Sequence, residues 1–324
     1  MAKNKIPLHL AKRFTNLSPS GSDAVAQSLQ QNYFPRLIWG EVRLSVEQWL
    51  ATAEGQQDLG DHLSGRLDSF RAKVIPWLDS ARSLSGARVL EIGCGTGAST
   101  VALAEQGATV TAIDIDEPSL RVARDRCSAH NLQCEIVQAN GAGAKQFLER
   151  ERYDFVIFFA CLEHMTHAER MQSMHETWSA LPPGALWCVI ETPNRLWFYD
   201  DHTSHLPFFN WLPDELAFAH SRFSPREPLR SSYRSLSAEA MESFLRHGRG
   251  VSFHEFDIAI ADASSLDVVS SLPLWRRKRG LFGLRELARR HKRQFRLERM
   301  LASFRPDVHR GFFQPYLDLI IRKT

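Results

Sequence analysis

The stretch Val89-Leu90-Glu91-Ile92-Gly93-Cys94-Gly95-Thr96-Gly97 decides how the rest of this 324-residue chain is read. It opens strand-like, its last five residues alternate glycine with small side chains, and a helical pattern begins at Ala98. Glycine lets the backbone turn sharply and approach a ligand with no Cβ in the way. A helix starting directly afterwards presents free N–H groups to a polar or anionic ligand. The next apolar run leads to Asp114, twenty-one residues after Gly93. A carboxylate at the end of that strand can accept hydrogen bonds from both hydroxyls of a ribose. These features point to a ligand containing a nucleoside. A dinucleotide loop would read GxGxxG, whereas this one reads GxGxG with Glu91 two residues ahead of it.

Outward from the loop, short apolar runs alternate with helical stretches. Strands are predicted at Arg88–Ile92, Thr109–Ile113, Glu135–Val137, Phe155–Phe159 and Leu186–Ile190, and helices at Ala98–Glu105, Pro118–His130, Ala144–Glu149 and His167–Leu181. Apolar strands without strict alternation, each followed by a helix, indicate a parallel sheet covered on both faces. Ligands of such sheets bind at the carboxyl ends of the strands. The later runs Val251–Ile260 and Phe312–Ile321 bring the expected strands to seven. Before the loop, Val46–Leu84 reads as an amphipathic helix that Pro76 kinks or ends. The loop-rich residues Glu191–Gly250 are too long for a simple connection and read as a substrate-side insertion.

The nine-residue stretch, with Asp114 on the following strand, resembles motif I of the class I S-adenosylmethionine (SAM) dependent methyltransferases. The resemblance covers residues 85–195, taking in Gln138-Ala139-Asn140-Gly141 after the third strand and Leu162-Glu163-His164 after the fourth. It implies an α/β, Rossmann-like, seven-stranded and mostly parallel sheet, with the last strand antiparallel beside the sixth. Around that core, residues 1–84 form an N-terminal helical extension and 85–324 the methyltransferase domain, with the insertion 191–250 between strands 5 and 6. The implied SAM-contacting residues are Glu91, Gly93, Cys94, Gly95, Gly97, Asp114, Ile115, Asn140 and Gly141. Of these, the three glycines would cradle the methionyl part, Asp114 the ribose and Asn140 the adenine edge.

Methyl transfer to a hydroxyl requires an acceptor held in line with the methyl group and a place for its proton. His164 follows the fourth strand, and an imidazole with a reference pKa of about 6.5 suits proton acceptance. The alternative reading has His164 hydrogen-bonding within its loop and Glu163 capping the next helix. The Glu163-His164 pair is similar to one in the quinone-pathway O-methyltransferases, where it helps bind a divalent ion. That branch carries another Glu three residues earlier; here the position is Ala160, so no metal set is read. The insertion opens with Glu191-Thr192-Pro193-Asn194-Arg195-Leu196-Trp197-Phe198-Tyr199-Asp200-Asp201-His202 and continues through Phe208, Phe209 and Trp211. Aromatic walls with a few polar groups describe either a small-molecule pocket or a satellite core. Asp201 and His202 join His164 as candidates for acceptor deprotonation or for binding a divalent ion.

Composition fits this reading: 44% apolar and 24% charged residues support a sizeable folded core. The sequence has no apolar run of the length a membrane span needs, and Met1–Leu17 has no secretory apolar stretch. The five cysteines form no CxxC pair. A cytoplasmic protein with reduced thiols is expected. Residues 276–310 carry thirteen Lys/Arg against three acids, so the remainder of the +3 chain is net acidic. The basic segment, within 275–310, includes a predicted helix at Arg285–Leu301. It could be a solvated face, or Arg276–Arg299 could meet an anionic membrane surface or nucleic acid. The expected function is SAM-dependent methylation of a small molecule, at the hydroxyl of a sugar or glycolipid precursor or of a quinone-like phenol. The alternatives are an RNA methyltransferase using the basic segment and a non-catalytic partner subunit.

Overall fold

A computed structural model describes residues 6–37, 45–279 and 291–324. Among them run seven strands: β1 (Arg88–Ile92), β2 (Thr109–Asp114), β3 (Glu135–Gln138), β4 (Phe155–Phe159), β5 (Leu186–Pro193), β6 (Asp267–Ser271) and β7 (Tyr316–Arg322). Their order in the sheet is β3-β2-β1-β4-β5-β7-β6. The first five follow the sequence reading to within three residues at either end. The chain divides into two compact units, residues 5–157 and 158–324, with the boundary inside β4.

In the first unit, β1 pairs in parallel with β2, from Arg88 opposite Thr109 to Ile92 opposite Ile113, and β2 pairs in parallel with β3. Val89, Leu90, Glu91 and Ile92 are all buried, as expected of a strand covered on both faces. The helix Ala98–Ala104 follows the glycine loop, and the helix Glu117–Ala129 follows β2 under an Asp116 cap. The predicted helix over 46–84 is real but interrupted. It breaks after Leu50, restarts at Thr52 as an N-cap, and runs to Ala81 with π-turns at Asp61–Gly65 and Phe70–Val74. The second π-turn ends two residues before Pro76, whose missing N–H an α-helical ladder could not accommodate without a break.

In the second unit, β7 lies antiparallel to both β5 and β6. Trp187 on β5 is fully buried; its indole N–H donates to Thr177 Oγ1 at 3.0 Å, and its ring centroid lies 5.0 Å from that of Phe158. Two expectations need correction here. Val251–Ile260 is not the sixth strand: Phe253–Ala259 is helical, with Phe253, Phe256 and Ala259 buried at helical spacing and Ile258 exposed. A capping box between Ser252 and Glu255 starts that helix. The sixth strand is Asp267–Ser271 instead. The predicted strand over Phe312–Ile321 contains a 3₁₀ turn at Arg310–Phe313 before β7 proper, with Pro315 between them. Of the basic segment, residues 280–290 lie outside the described residues, and His291–Phe304 is helical.

The insertion builds its own small core. Leu206, Phe209, Ala217, Phe218, Leu229, Tyr233 and Phe244 are buried together. Arg249, itself buried, donates to Phe209 O at 2.9 Å and Leu212 O at 2.6 Å and pairs with Asp214 at 3.1 Å, fastening the segment down.

Candidate active site

The glycine loop is held by the residue expected to bind a ribose. Gly93, Gly95 and Gly97 all adopt positive φ. Gly95 N donates to Asp114 Oδ2 at 2.8 Å, while Asp114 Oδ1 accepts from Asp116 N at 2.9 Å. Gly97 is more constrained than Gly95: its φ is +80°, and a Cβ there would lie 2.8 Å from Ala123 Cα, whereas nothing lies within 4 Å of one at Gly95. The loop therefore sits directly on the Glu117–Ala129 helix. Glu91 also acts within the fold. It is fully buried, and its oxygens accept from the hydroxyls of Ser99 and Thr100, so it joins β1 to the following helix. Burial raises its carboxyl to about 7. Cys94 is buried, which pushes its thiol well above the ordinary range. Ile115 is apolar yet 57% exposed, a surface that a flat ring could cover. Asn140 Oδ1 accepts from Ala142 N at 2.9 Å and shapes the turn that buries Gly141.

The second unit holds a separate cluster. Glu163, His164 and His202 each offer one ligand atom, all within 4.8 Å of one another. Glu163 Oε1 lies 3.9 Å from His164 Nε2 and 3.8 Å from His202 Nε2. Glu163 is 0% exposed; Oε2 accepts from Thr192 Oγ1 at 3.1 Å, while Oε1 has no hydrogen-bond partner. The histidine tautomers follow from their other nitrogens. His164 Nδ1 faces Arg246 O at 2.9 Å and must donate, which leaves Nε2 with its lone pair when the ring is neutral. Thr203 Oγ1 donates to Gly248 O at 3.2 Å, so it accepts from His202 Nδ1 at 3.0 Å, and His202 Nε2 is likewise a lone pair. Burial lowers the His202 pKa despite the neighbouring Glu163 and holds the ring neutral. A buried carboxyl oxygen and two imidazole lone pairs thus converge, an arrangement that a proton or a cation between them would satisfy.

Local structure explains how residues so distant in sequence meet. Arg170 is buried, donates to Leu162 O at 2.7 Å and pairs with Glu255 at 2.6 Å, fixing the turn that carries Glu163. Asp200 accepts from the N–H groups of His202, Thr203 and Ser204, folding the chain so that His202 turns inward. Asp201, grouped with His202 in the sequence reading, faces elsewhere and accepts from Tyr316 Oη at 2.9 Å. The aromatics divide: Phe209 joins the satellite core, whereas Phe198, Tyr199, Phe208 and Trp211 are exposed. Ala160, Glu191, His205 and Phe208 all have positive φ, so strained backbone gathers in the same stretch of chain as the cluster. Glu163 does not cap the next helix, which Thr166 caps, and its place at the centre of the cluster was not among the expected site residues; for Asp200, the Asp-Asp-His-Thr-Ser run was the signal of the turn it caps.

Of the basic segment, Arg277 pairs with the buried Glu298 at 3.1 Å, and Arg279 and Arg299 stack over Trp275 and Phe295. No described helix is long and apolar enough to cross a membrane.

A family described as a methyltransferase domain matches residues 89–184. The ubiquinone biosynthesis O-methyltransferase of Bordetella avium is 34% identical over 125 residues, which is 37% of this chain and 49% of that protein. The protein of the same name from Pseudomonas entomophila is 37% identical over 94 residues, 28% of this chain and 39% of its own. The chain spans about half the length, or less, of the curated relatives it matches. Among solved structures, SAM-bound magnesium protoporphyrin IX methyltransferase from Synechocystis PCC 6803 aligns over 65% of this chain and 89% of its own, at 18% identity and a TM-score of 0.37. The matched segment begins at Val89, on the strand that leads into the glycine loop, and includes Asp114, Asn140, Glu163 and His164. Residues 89–184 of this chain are thus similar to a methyltransferase domain, and the curated relatives that share the segment are O-methyltransferases by name.

Proposed function

We propose that the protein transfers a methyl group from SAM to a hydroxyl oxygen of a small molecule. The observation that carries this reading is the Glu163–His164–His202 cluster, which follows the carboxyl end of β4, in a chain whose β1 ends in the glycine loop. SAM supplies the methyl group as an electrophilic sulfonium substituent. Gly93, Gly95 and Gly97 would receive its methionyl part, Asp114 the ribose hydroxyls, and Asn140, Gly141 and Ile115 the adenine. The acceptor oxygen forms its bond to the methyl carbon as the carbon–sulfur bond breaks and its electron pair returns to sulfur. The acceptor proton passes to an imidazole Nε2 of His164 or His202, both available as lone pairs. Glu163 stabilises the imidazolium that results. Of the two acceptor classes expected, a quinone-like phenol is favoured over a sugar by the names of the curated relatives.

A second reading of the cluster is favoured by the unpartnered, buried Oε1 of Glu163. The three atoms suit a divalent ion, and their two-nitrogen, one-oxygen set suits zinc or manganese better than magnesium. An ion there would polarise the acceptor oxygen. His202 would supply a third ligand in this chain, whose position 160 is Ala where the quinone-pathway branch has a Glu.

The test is SAM turnover with a panel of catechols and with monosaccharides, read as demethylated SAM, before and after chelation and with Zn²⁺ or Mn²⁺ restored. Turnover of catechols supports the proposal. Failure of SAM to bind the wild-type protein would refute it. Loss on chelation with recovery on adding metal selects the cation reading; unchanged turnover selects proton transfer.

A further inference from the structure

Arg126 is fully buried in the helix Glu117–Ala129. Its hydrogen bonds run to main-chain carbonyls rather than to a carboxylate. Nε donates to Thr96 O at 2.8 Å, Nη1 to Leu63 O at 2.9 Å and Nη2 to His62 O at 2.6 Å. Thr96 stands between Gly95 and Gly97 in the glycine loop. His62 and Leu63 lie in the π-turn Asp61–Gly65 of the N-terminal helices. A π-turn interrupts the α-helical ladder, making its carbonyls available to a side-chain donor. One planar fork therefore grips two segments more than thirty residues apart in sequence. One turn earlier on the same helix, Ala123 leaves no room for a side chain at Gly97. The helix is a buttress for the loop, and the guanidinium is its clamp.

A buried charge held by carbonyls alone is costly to maintain as mere packing, since a carboxylate partner would serve folding better. Elsewhere in the same unit that alternative is realised. Arg71 pairs with the buried Glu105 through two hydrogen bonds, at 2.9 and 2.7 Å. At Arg126 the positive charge instead lies under a loop built to receive the polar end of a ligand. We infer that Arg126 is a positioning residue for the cofactor loop, and that it makes the 61–65 turn of the N-terminal helices part of the cofactor-binding apparatus. This rests on the SAM reading for the ligand's identity, but the tether itself does not.

Arg126→Lys and Arg71→Lys provide the comparison. A lysine ammonium keeps the charge but lacks the fork that spans Thr96 and the 62–63 carbonyls. For ligand-free protein, amide hydrogen exchange is followed at residues 61–66 and 94–98, with β5 as reference. For SAM and its demethylated product, affinity is measured by calorimetry beside the melting temperature. Arg126→Lys should speed exchange in both segments together, leave β5 unchanged and weaken both ligands by about tenfold. Arg71→Lys should lower the melting temperature while leaving both affinities near wild type. The inference is overturned if only one segment loosens in Arg126→Lys, if its SAM affinity is unchanged, or if Arg71→Lys weakens SAM equally. Wild-type protein that binds no SAM overturns the cofactor reading instead. The exchange measurement, made without ligand, still decides whether the tether exists. If Arg126→Lys fails to fold, the same measurements on Leu63→Pro, which distorts the 61–65 turn from the other side, decide the matter.

Discussion

The glycine loop and the Glu163 cluster are built by opposite means. At the loop, backbone does the work: positive φ at Gly93, Gly95 and Gly97, and a main-chain N–H on Asp114. At the cluster, side chains do it: a carboxyl and two imidazoles on a scaffold of buried arginine and an aspartate-capped turn. Backbone sites are contiguous in sequence because a turn is contiguous. Side-chain sites are assembled by the fold from whatever residues it brings together. The first kind is thus written as a motif, and the second is fragile in a different way. Changes at the loop should disturb fold and ligand together, whereas changes at the cluster should separate them.

The largest effect is expected at Gly97. Alanine there meets both a left-handed backbone and the main chain of Ala123, and neither can give easily. A loss of about 2 to 4 kcal/mol in denaturant unfolding is expected, with SAM binding abolished in calorimetry. Gly95→Ala is the control, because its φ is +49° but nothing lies within 4 Å of the added carbon. It should lose only about 1 to 2 kcal/mol, the conformational part. Equal losses at the two positions would show that strain alone, and not the close approach to the buttress helix, shapes the loop.

Glu163→Gln should reverse the pattern. The amide keeps the size of the carboxyl and can donate toward the imidazole lone pairs, relieving an oxygen that has no partner. Stability should be unchanged or improved by about 1 kcal/mol, and SAM affinity should match wild type. Turnover should fall by roughly 100-fold, since proton acceptance or ion binding is lost. A variant that lost stability instead would make Glu163 a structural residue and remove the contrast between the regions.

Legibility in the sequence divided along the same line. The loop, Asp114 and β1 to β5 could be read because each is a local pattern of a few residues. His164 was visible by its place after a strand, but its closeness to His202 depends on the Asp200 turn and on the Arg170 contact, neither of which has a periodic signature. The 251–260 run misled because Val251, Phe253, Phe256, Ile258 and Ile260 look half-alternating. The Ser252–Glu255 capping box was the better signal, and it placed a helix there. Strand β6 escaped because Asp-Val-Val-Ser-Ser is short and half-polar, as an edge strand tends to be.

A third effect concerns pH and the loop side alone. Glu91 titrates at about 7 when folded, against an ordinary 4.5. Below 4.5 it is protonated in both states and its contribution is intact. As pH rises toward 7 the unfolded chain ionises first, so stability falls through that window. His62 acts with the opposite sign: burial lowers it to about 3 from 6.5, so its contribution is complete above 6.5 and is lost as pH falls. Glu91→Gln should flatten the alkaline side of the stability profile, recovering about 2 to 3 kcal/mol at pH 8 relative to pH 4.5, while the acid side stays as in wild type. A profile unchanged by the substitution would show that Glu91 ionises freely and does not govern the join between β1 and its helix.

The smallest effect is the sharpest test of the cluster's boundary. Asp201 and His202 are neighbours in sequence and were read together, but only His202 faces Glu163. Asp201→Asn keeps an acceptor for Tyr316 Oη and removes only a charge. Turnover should change less than about threefold and stability by under about 0.5 kcal/mol. His202→Gln keeps a polar side chain in the inward position but removes the imidazole, and should cost roughly 100-fold in turnover. If Asp201→Asn proved as damaging as His202→Gln, the acceptor would be met by the Asp200 turn as a whole, and the side-chain site would prove as contiguous in sequence as the loop it is compared with.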